Sequence, residues 1–141
     1  MIFDFYLLIG CWRVFLNNMR NVVKDKSYDL ALRIVKLCKY LRNDKREFVL
    51  SKQVLRSGTS IGANIEEAIG GHTKKEFISK LSIAYKESRE THYWLRLLKD
   101  AEFISKTEFD SIVADLIEVQ KLLVSILKTS KKNNEDKESV C

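Results

Sequence analysis

The sequence contains no proline and only five glycines among its 141 residues. Sheets joined by many tight turns depend on these two residue types, so their scarcity excludes an all-β sandwich or barrel. Hydrophobic residues make up 45% of the chain, which excludes collagen-like and disordered proteins. A single, nearly all-helical domain is the class that remains, because the chain is too short for two domains of ordinary size.

Cysteine and histidine are also scarce. The three cysteines are widely spaced and form no C-x-x-C pair, which argues against a disulfide framework or a zinc site and fits a cytoplasmic protein. Cys38 lies in an apolar stripe and is expected to be a small core residue. Neither His72 nor His92 belongs to a Glu-x-x-His motif, and no Walker, Rossmann or zincin motif occurs. We therefore expect no metal, no cofactor and no enzymatic activity.

Residues 1–18 are rich in large apolar side chains but include Asp4 and Arg13. A signal peptide opens with positive charge and closes on small residues, and a membrane span needs about 20 apolar residues, so neither fits and no membrane contact is expected. We interpret 1–18 as a non-native or flexible extension, with Met19 as the biological start. The alternative is an amphipathic anchor or a helix that binds a partner.

Hydrophobic periodicity predicts four amphipathic helices in the rest of the chain. Capping-box patterns mark two of the helix starts, at Thr73-x-x-Glu76 and Ser105-x-x-Glu108, and Ser51 is a candidate N-cap. The predicted helices cover residues 27–43, 51–69, 73–101 and 105–129. Short connections between them predict an antiparallel up-down-up-down four-helix bundle over 19–129, followed by a disordered polar tail over 130–141.

Two features of these helices predict close packing and self-association. Gly58 and Gly62 lie on the buried side of the second helix, where each glycine costs about 1 kcal/mol relative to alanine, so another helix should approach closely there. The apolar arc of the first helix spans about 180°, wider than one neighbour covers. The third helix carries a further apolar flank at Ile83, Trp94 and Leu98. We therefore expect a homo-oligomer.

Positive charge is concentrated in the first half of the chain, where residues 1–56 hold twelve basic and five acidic side chains. Such an excess is a candidate footprint for nucleic acid, although a solvated helix face would look the same. The candidate nucleic-acid-binding residues are Lys26, Arg33, Lys36, Lys39, Arg42, Lys52 and Arg56. We expect Arg33 and Lys36 to lie on the solvent face. Because no aromatic residues alternate with these charges on the helices, binding is expected to be electrostatic, with little sequence preference.

The run Arg56-Ser57-Gly58-Thr59-Ser60-Ile61-Gly62-Ala63-Asn64-Ile65-Glu66-Glu67-Ala68 resembles the second-helix signature of a bacterial four-helix-bundle family, the 23S rRNA-intervening-sequence proteins. The run that starts at Thr73 resembles the third-helix signature, and the similarity extends from about Lys24 to Lys128. The matching signature positions are Gly58, Ser60, Gly62, Asn64 and Glu67. For Ser60, Asn64 and Glu67 we favour a structural role, as a polar network and helix cap.

The resemblance implies a non-catalytic role. The family is also similar to the accessory variability proteins of diversity-generating retroelements, which form basic homopentameric rings that bind nucleic acid and a reverse transcriptase. This similarity implies an oligomeric scaffold, with a pentamer favoured, that binds RNA or DNA. The alternative is an accessory factor that docks a protein, such as a reverse transcriptase, without contacting nucleic acid.

Overall fold

The computed structural model describes residues 2–138, with side chains described for residues 10–11 and 13–132. Four α-helices account for nearly all of this range, and no strand occurs within it. The helices are α1 (Ile2–Asn43), α2 (Leu50–Ile69), α3 (Lys74–Asp100) and α4 (Lys106–Glu138). The predicted all-α class with four helices is therefore confirmed.

The two outer helices are longer than the periodicity indicated. The first was expected to begin near Ser27 but begins at Ile2, because residues 2–26 contain no proline and only one glycine to interrupt it. At about 1.5 Å per residue, α1 is about 63 Å long against about 30 Å for α2. The last helix continues past Thr129 to Glu138, through part of the segment for which the sequence predicted a disordered tail. Residues 139–141 lie outside the described range.

Both predicted helix starts carry side-chain caps, and the one at Ser105 is a complete capping box. The Thr73 hydroxyl accepts a hydrogen bond from the backbone N–H of Glu76 at 3.1 Å, and the Glu76 carboxylate accepts one from the N–H of His72. At the start of α4, Ser105 and Glu108 bond reciprocally at 3.1 and 2.7 Å. These side chains satisfy donors that a helix start otherwise leaves unpaired.

Each helix packs against two others, in the cyclic order α1–α2–α3–α4–α1, and the diagonal pairs do not meet within residues 2–138. Residue pairs run in opposite orders along α1 and α2: Gly62 lies beside Ser27 and Gly58 beside Ile34. The core lies along the axis of this bundle. Its largest fully buried side chains are Leu30, Ile34, Leu41, Ile61, Ile65, Leu81, Leu95, Leu98, Leu116, Leu123, Ile126 and Val23.

The apolar flank predicted on α3, at Ile83, Trp94 and Leu98, is mostly covered within the bundle. Leu98 is fully buried and Trp94 packs against the core, so of that flank only Ile83 is exposed. On α1, by contrast, Tyr28 is 63% exposed and Leu32 is 44% exposed. The apolar arc of α1 is therefore wider than its own bundle covers. Within the described residues, no helix is both long and apolar enough to cross a bilayer.

Candidate nucleic-acid interface

The packing of α4 pairs some of the candidate basic residues of α1 with acidic side chains and leaves others unpaired. Lys26 Nζ lies 2.9 Å from Glu118 of α4, and this hydrogen bond raises the pKa of Lys26. Arg33 forms an ion pair with Asp115 and donates to the backbone oxygen of Ser111 at 3.0 Å. Arg33 was expected on the solvent face; its side chain is 37% exposed, but α4 places acceptors beside it, so its charge is already paired.

Arg56 is bound to α3 by a second set of charges. Its Nη2 forms an ion pair with Glu90, and its Nη1 lies 3.8 Å from Glu87 Oε2. Trp94 Nε1 donates to the same Glu90 carboxylate at 3.1 Å. These hydrogen bonds, from Trp94 first and then from Arg56, lower the pKa of Glu90 despite its partial burial. Arg56 therefore bridges α2 and α3, and its charge is largely balanced.

The other four candidates are exposed and form no ion pair with any described side chain: Lys36, Lys39, Arg42 and Lys52. Lys39 and Arg42 line one shallow groove between α1 and α2, together with Leu55. Lys36 lies apart from them, in a groove between α1 and α4. The structure thus brings together only part of the predicted set.

Two loop residues extend this unpaired charge. Lys45 and Arg46 are both exposed in the connection between α1 and α2, next to the end of the helix that carries Lys39 and Arg42. We call the group formed by Lys39, Arg42, Lys45, Arg46 and Lys52 the basic end. Residues 39–52 hold these five bases and two acids, Asp44 and Glu47.

Glu47 forms no ion pair with the basic end, because its side chain turns inward and caps α2. The carboxylate accepts hydrogen bonds from the backbone N–H groups of Val49, Leu50 and Ser51 at 3.0, 2.8 and 2.6 Å. Burial by itself would raise the pKa of Glu47, but these three bonds lower it below the ordinary value. Ser51, the expected N-cap, is buried and donates its hydroxyl to the backbone oxygen of Glu47. The cap prediction was therefore wrong, since Glu47 supplies the capping oxygens.

One aromatic side chain lies within the basic end. Phe48 is 51% exposed, and the Arg42 guanidinium carbon lies 5.8 Å from the centroid of its ring. Phe48 was not among the predicted residues, because the predicted stacking pattern was one of aromatics that alternate with charges along a helix, whereas Phe48 belongs to a loop. The signal that could have found it is the run Lys45-Arg46-Glu47-Phe48, in which a large apolar residue follows two bases outside any helical stripe.

The signature residues of α2 serve its packing. Gly58 is buried against the Ile34 side chain, and Gly62 faces the backbone of Ser27. Ser60 donates to the Arg56 carbonyl at 2.6 Å, and Asn64 donates to the Ser60 carbonyl at 2.8 Å. Glu67 forms an ion pair with Lys80 of α3 at 2.6 Å. These contacts lie within α2 or join it to its neighbours.

Three kinds of side chain often take part in catalysis: metal ligands, histidine and cysteine. No three His, Cys, Asp or Glu side chains among them are placed to hold a metal ion. His92 stacks on Phe109 at 6.2 Å between ring centroids, and burial, followed by nearby cations, lowers its pKa. The Cys38 thiol donates to the Ser51 carbonyl at 3.2 Å, and burial raises its pKa to about 11. Such a thiol is protonated at neutral pH and a poor nucleophile.

A family model for the 23S rRNA-intervening sequence protein matches residues 19–125. The chain belongs to this family. The family match covers the whole of α2 and α3, the basic end and most of α4.

A solved structure is similar to this family member. It is a protein of unknown function from the S23 ribosomal protein family of Bacteroides thetaiotaomicron, 55% identical, with a TM-score of 0.77. The match covers 78% of this chain and 98% of that chain. None of the curated proteins compared with the sequence matches it.

Proposed function

We propose that this protein is a non-catalytic, cytoplasmic scaffold that binds RNA or DNA electrostatically through the basic end. The observation that carries the proposal is the contrast between two groups of basic residues. Lys26, Arg33 and Arg56 are matched by acidic partners on neighbouring helices, whereas Lys39, Arg42 and Lys52 are exposed with no such partner. A phosphate-binding site needs basic side chains of the second group, because a basic side chain already paired with a carboxylate adds little to the affinity for a phosphate.

The scaffold is proposed to be an up-down-up-down bundle that assembles into a homo-oligomeric ring, with five copies favoured by the resemblance to the retroelement accessory proteins. Tyr28, Leu32 and Ile83 are exposed apolar residues on the outside of the bundle. Covering a large apolar side chain contributes about 1.5–3 kcal/mol, so a second copy gains by packing there. A ring would repeat the basic end in every subunit and form a belt of positive charge.

Salt-dependent binding tests the nucleic-acid function. Lys39→Gln/Arg42→Gln/Lys52→Gln is expected to weaken binding to several unrelated RNAs and DNAs alike. Each phosphate contact contributes about 0.9 to the logarithmic salt slope on duplex DNA and about 0.7 on single strands, so three lost contacts should lower the slope by about 2–3. Fluorescence anisotropy across a salt series measures both quantities, and circular dichroism checks the fold.

Lys86→Gln/Arg89→Gln/Lys121→Gln is the matched control. It removes the same charge from exposed side chains of α3 and α4 that form no ion pair with a described residue. We expect its affinity and slope to stay close to wild type. Arg33→Gln should also bind normally, since Arg33 is occupied by Asp115. Equal losses in the two triple variants would mean that net charge alone drives binding, and would refute a site at the basic end.

The alternative is an accessory factor that docks a protein, such as a reverse transcriptase, without contacting nucleic acid. The exposed apolar pair Tyr28 and Leu32 favours it, because such a pair suits a protein surface as well as a second copy. The alternative predicts no saturable RNA or DNA binding at physiological salt. Light scattering separates the two uses of the apolar face: a protein that is a monomer alone, and that gains mass only when a partner protein is added, would favour docking over a ring.

A further inference from the structure

Phe48 is held outward by the loop that carries it. The preceding residue, Glu47, is 9% exposed and bonds to the backbone N–H groups of Val49 and Leu50, so the backbone on either side of Phe48 is pinned to the start of α2. Arg46 has a φ of 53°, a left-handed conformation that few non-glycine residues adopt. The loop therefore presents a large aromatic ring to solvent at a fixed place.

The surroundings of this ring are cationic. The Arg42 guanidinium carbon lies 5.8 Å from the ring centroid, within the range of about 6 Å for a cation–π contact. Lys45 lies over a different ring, that of Tyr40, at 5.9 Å, and lines a separate groove with Lys99 and Glu102, so Arg42 is the cation that contacts Phe48. The only other acidic residue of the loop, Asp44, is exposed and is outnumbered by the five basic residues of the basic end. An exposed aromatic face among unpaired cations is complementary to a ligand with flat, uncharged bases and a negative backbone.

We propose that the basic end binds single-stranded nucleic acid, with one base stacked on Phe48 and the adjacent phosphates held by Arg42 and Lys52. The inference rests on the proposed function and adds a strand preference to it. Single-strand binders combine a positive groove with aromatic rings on which bases stack, and stacking tolerates any base because every base has a π-face. A duplex keeps its bases stacked on each other, so it should use only the charges. Binding of a single strand is thus expected to combine electrostatic attraction with base stacking, whereas the sequence led us to expect electrostatic attraction alone.

The test compares substitutions of Phe48 on a single-stranded RNA and on the same sequence as a duplex. Base–aromatic stacking lost on alanine substitution corresponds to a fall in affinity of about 5- to 150-fold. We expect Phe48→Ala and Phe48→Leu to show such a fall on the single strand, and Phe48→Tyr to bind as wild type. None should change the salt slope or duplex binding, because no charge is removed. Val49→Ala is the control, since Val49 is the adjacent residue and is 71% exposed.

The leucine variant separates stacking from a merely apolar contact. If Phe48→Leu binds the single strand as tightly as wild type while Phe48→Ala does not, the ring makes only a nonspecific apolar contact and the stacking proposal is overturned. Sedimentation with anionic vesicles that follows the same order, wild type and leucine above alanine, would assign the loop to a lipid surface instead. An equal loss of single-strand and duplex binding in Phe48→Ala would also overturn the proposal.

The basic-end triple variant distinguishes this proposal from the function on which it rests. If the triple variant loses binding and Phe48→Ala does not, nucleic-acid binding by the basic end stands and the stacking proposal fails. If the triple variant binds as wild type, the proposed function itself fails. Phe48 is half exposed, so its substitutions should leave the fold intact, which circular dichroism of each variant checks.

Discussion

Gly58→Ala should destabilise the fold, although alanine is the better helix former. A Cβ at position 58 would lie 2.9 Å from Ile34 Cγ2 and 3.0 Å from Ile34 Cγ1, closer than such atoms tolerate. Ile34 is fully buried and its side chain branches at Cβ, so it has little freedom to move away. Overpacking of this kind costs about 1–3 kcal/mol, and the gain in helix propensity offsets about 1. The expected net loss is about 1 kcal/mol in the free energy of unfolding.

Gly62→Ala is the matched control on the same helix. A Cβ there would lie 3.5 Å from Ser27 Oγ and 3.6 Å from the Ser27 backbone oxygen, which are ordinary contact distances. The gain in helix propensity is then not opposed, and the variant should be up to about 1 kcal/mol more stable than wild type. The same substitution is thus expected to have opposite signs at two glycines that sequence reasoning treated alike.

Urea denaturation followed by circular dichroism, at one fixed protein concentration, measures both effects. A double-mutant cycle with Ile34→Ala tests the cause, since that change removes both Cγ atoms. In the Ile34→Ala background, Gly58→Ala should become stabilising, giving a coupling energy of about 2 kcal/mol. A Gly58→Ala variant as stable as Gly62→Ala, or a coupling near zero, would refute the steric argument.

Two further predictions concern the cap and the thiols. Glu47→Gln should destabilise the fold by about 0.5–2 kcal/mol, the usual effect of losing an N-cap. This loss of stability should depend on pH, whereas any loss in Ser51→Ala should not. Because the pKa of Glu47 is lower in the folded than in the unfolded state, its contribution is complete above the unfolded glutamate pKa of about 4.3 and is lost as the pH falls through the folded value. Stability curves of wild type and Glu47→Gln should therefore converge in acid; a constant gap down to the lowest pH would contradict this. For the thiols, exposed Cys11 should react with a maleimide in the native protein, while Cys38, with a pKa of about 11, reacts only on unfolding. Modification of Cys38 in a Cys11→Ser variant under native conditions, found by peptide mass spectrometry, would count against its burial.

Local patterns in the sequence were enough to predict the helical class and the capped helix starts. Absent proline and scarce glycine leave few places where a helix must stop, and Thr73-x-x-Glu76 and Ser105-x-x-Glu108 carry their own hydrogen-bond partners within one turn. The same kind of reasoning misplaced the start of α1 and the cap of α2. No local residue marks where α1 begins, and Ser51 matches the usual N-cap type although the Glu47 carboxylate reaches the same donors.

The candidate site depended on tertiary structure. Periodicity places Lys26 and Arg33 on the polar face of α1, but it does not say that Glu118 and Asp115 of α4 lie opposite them. A basic side chain is available to a phosphate only if no other helix brings an acidic side chain within about 4 Å of it. The acidic residues that do so here lie far away along the chain. Phe48 is a different case, because its exposure goes with the inward turn of Glu47, whose bonds reach residues only two to four positions away. The sequence by itself determined which residues are charged and where helices form, and only the packing of the four helices decided which charges are already paired.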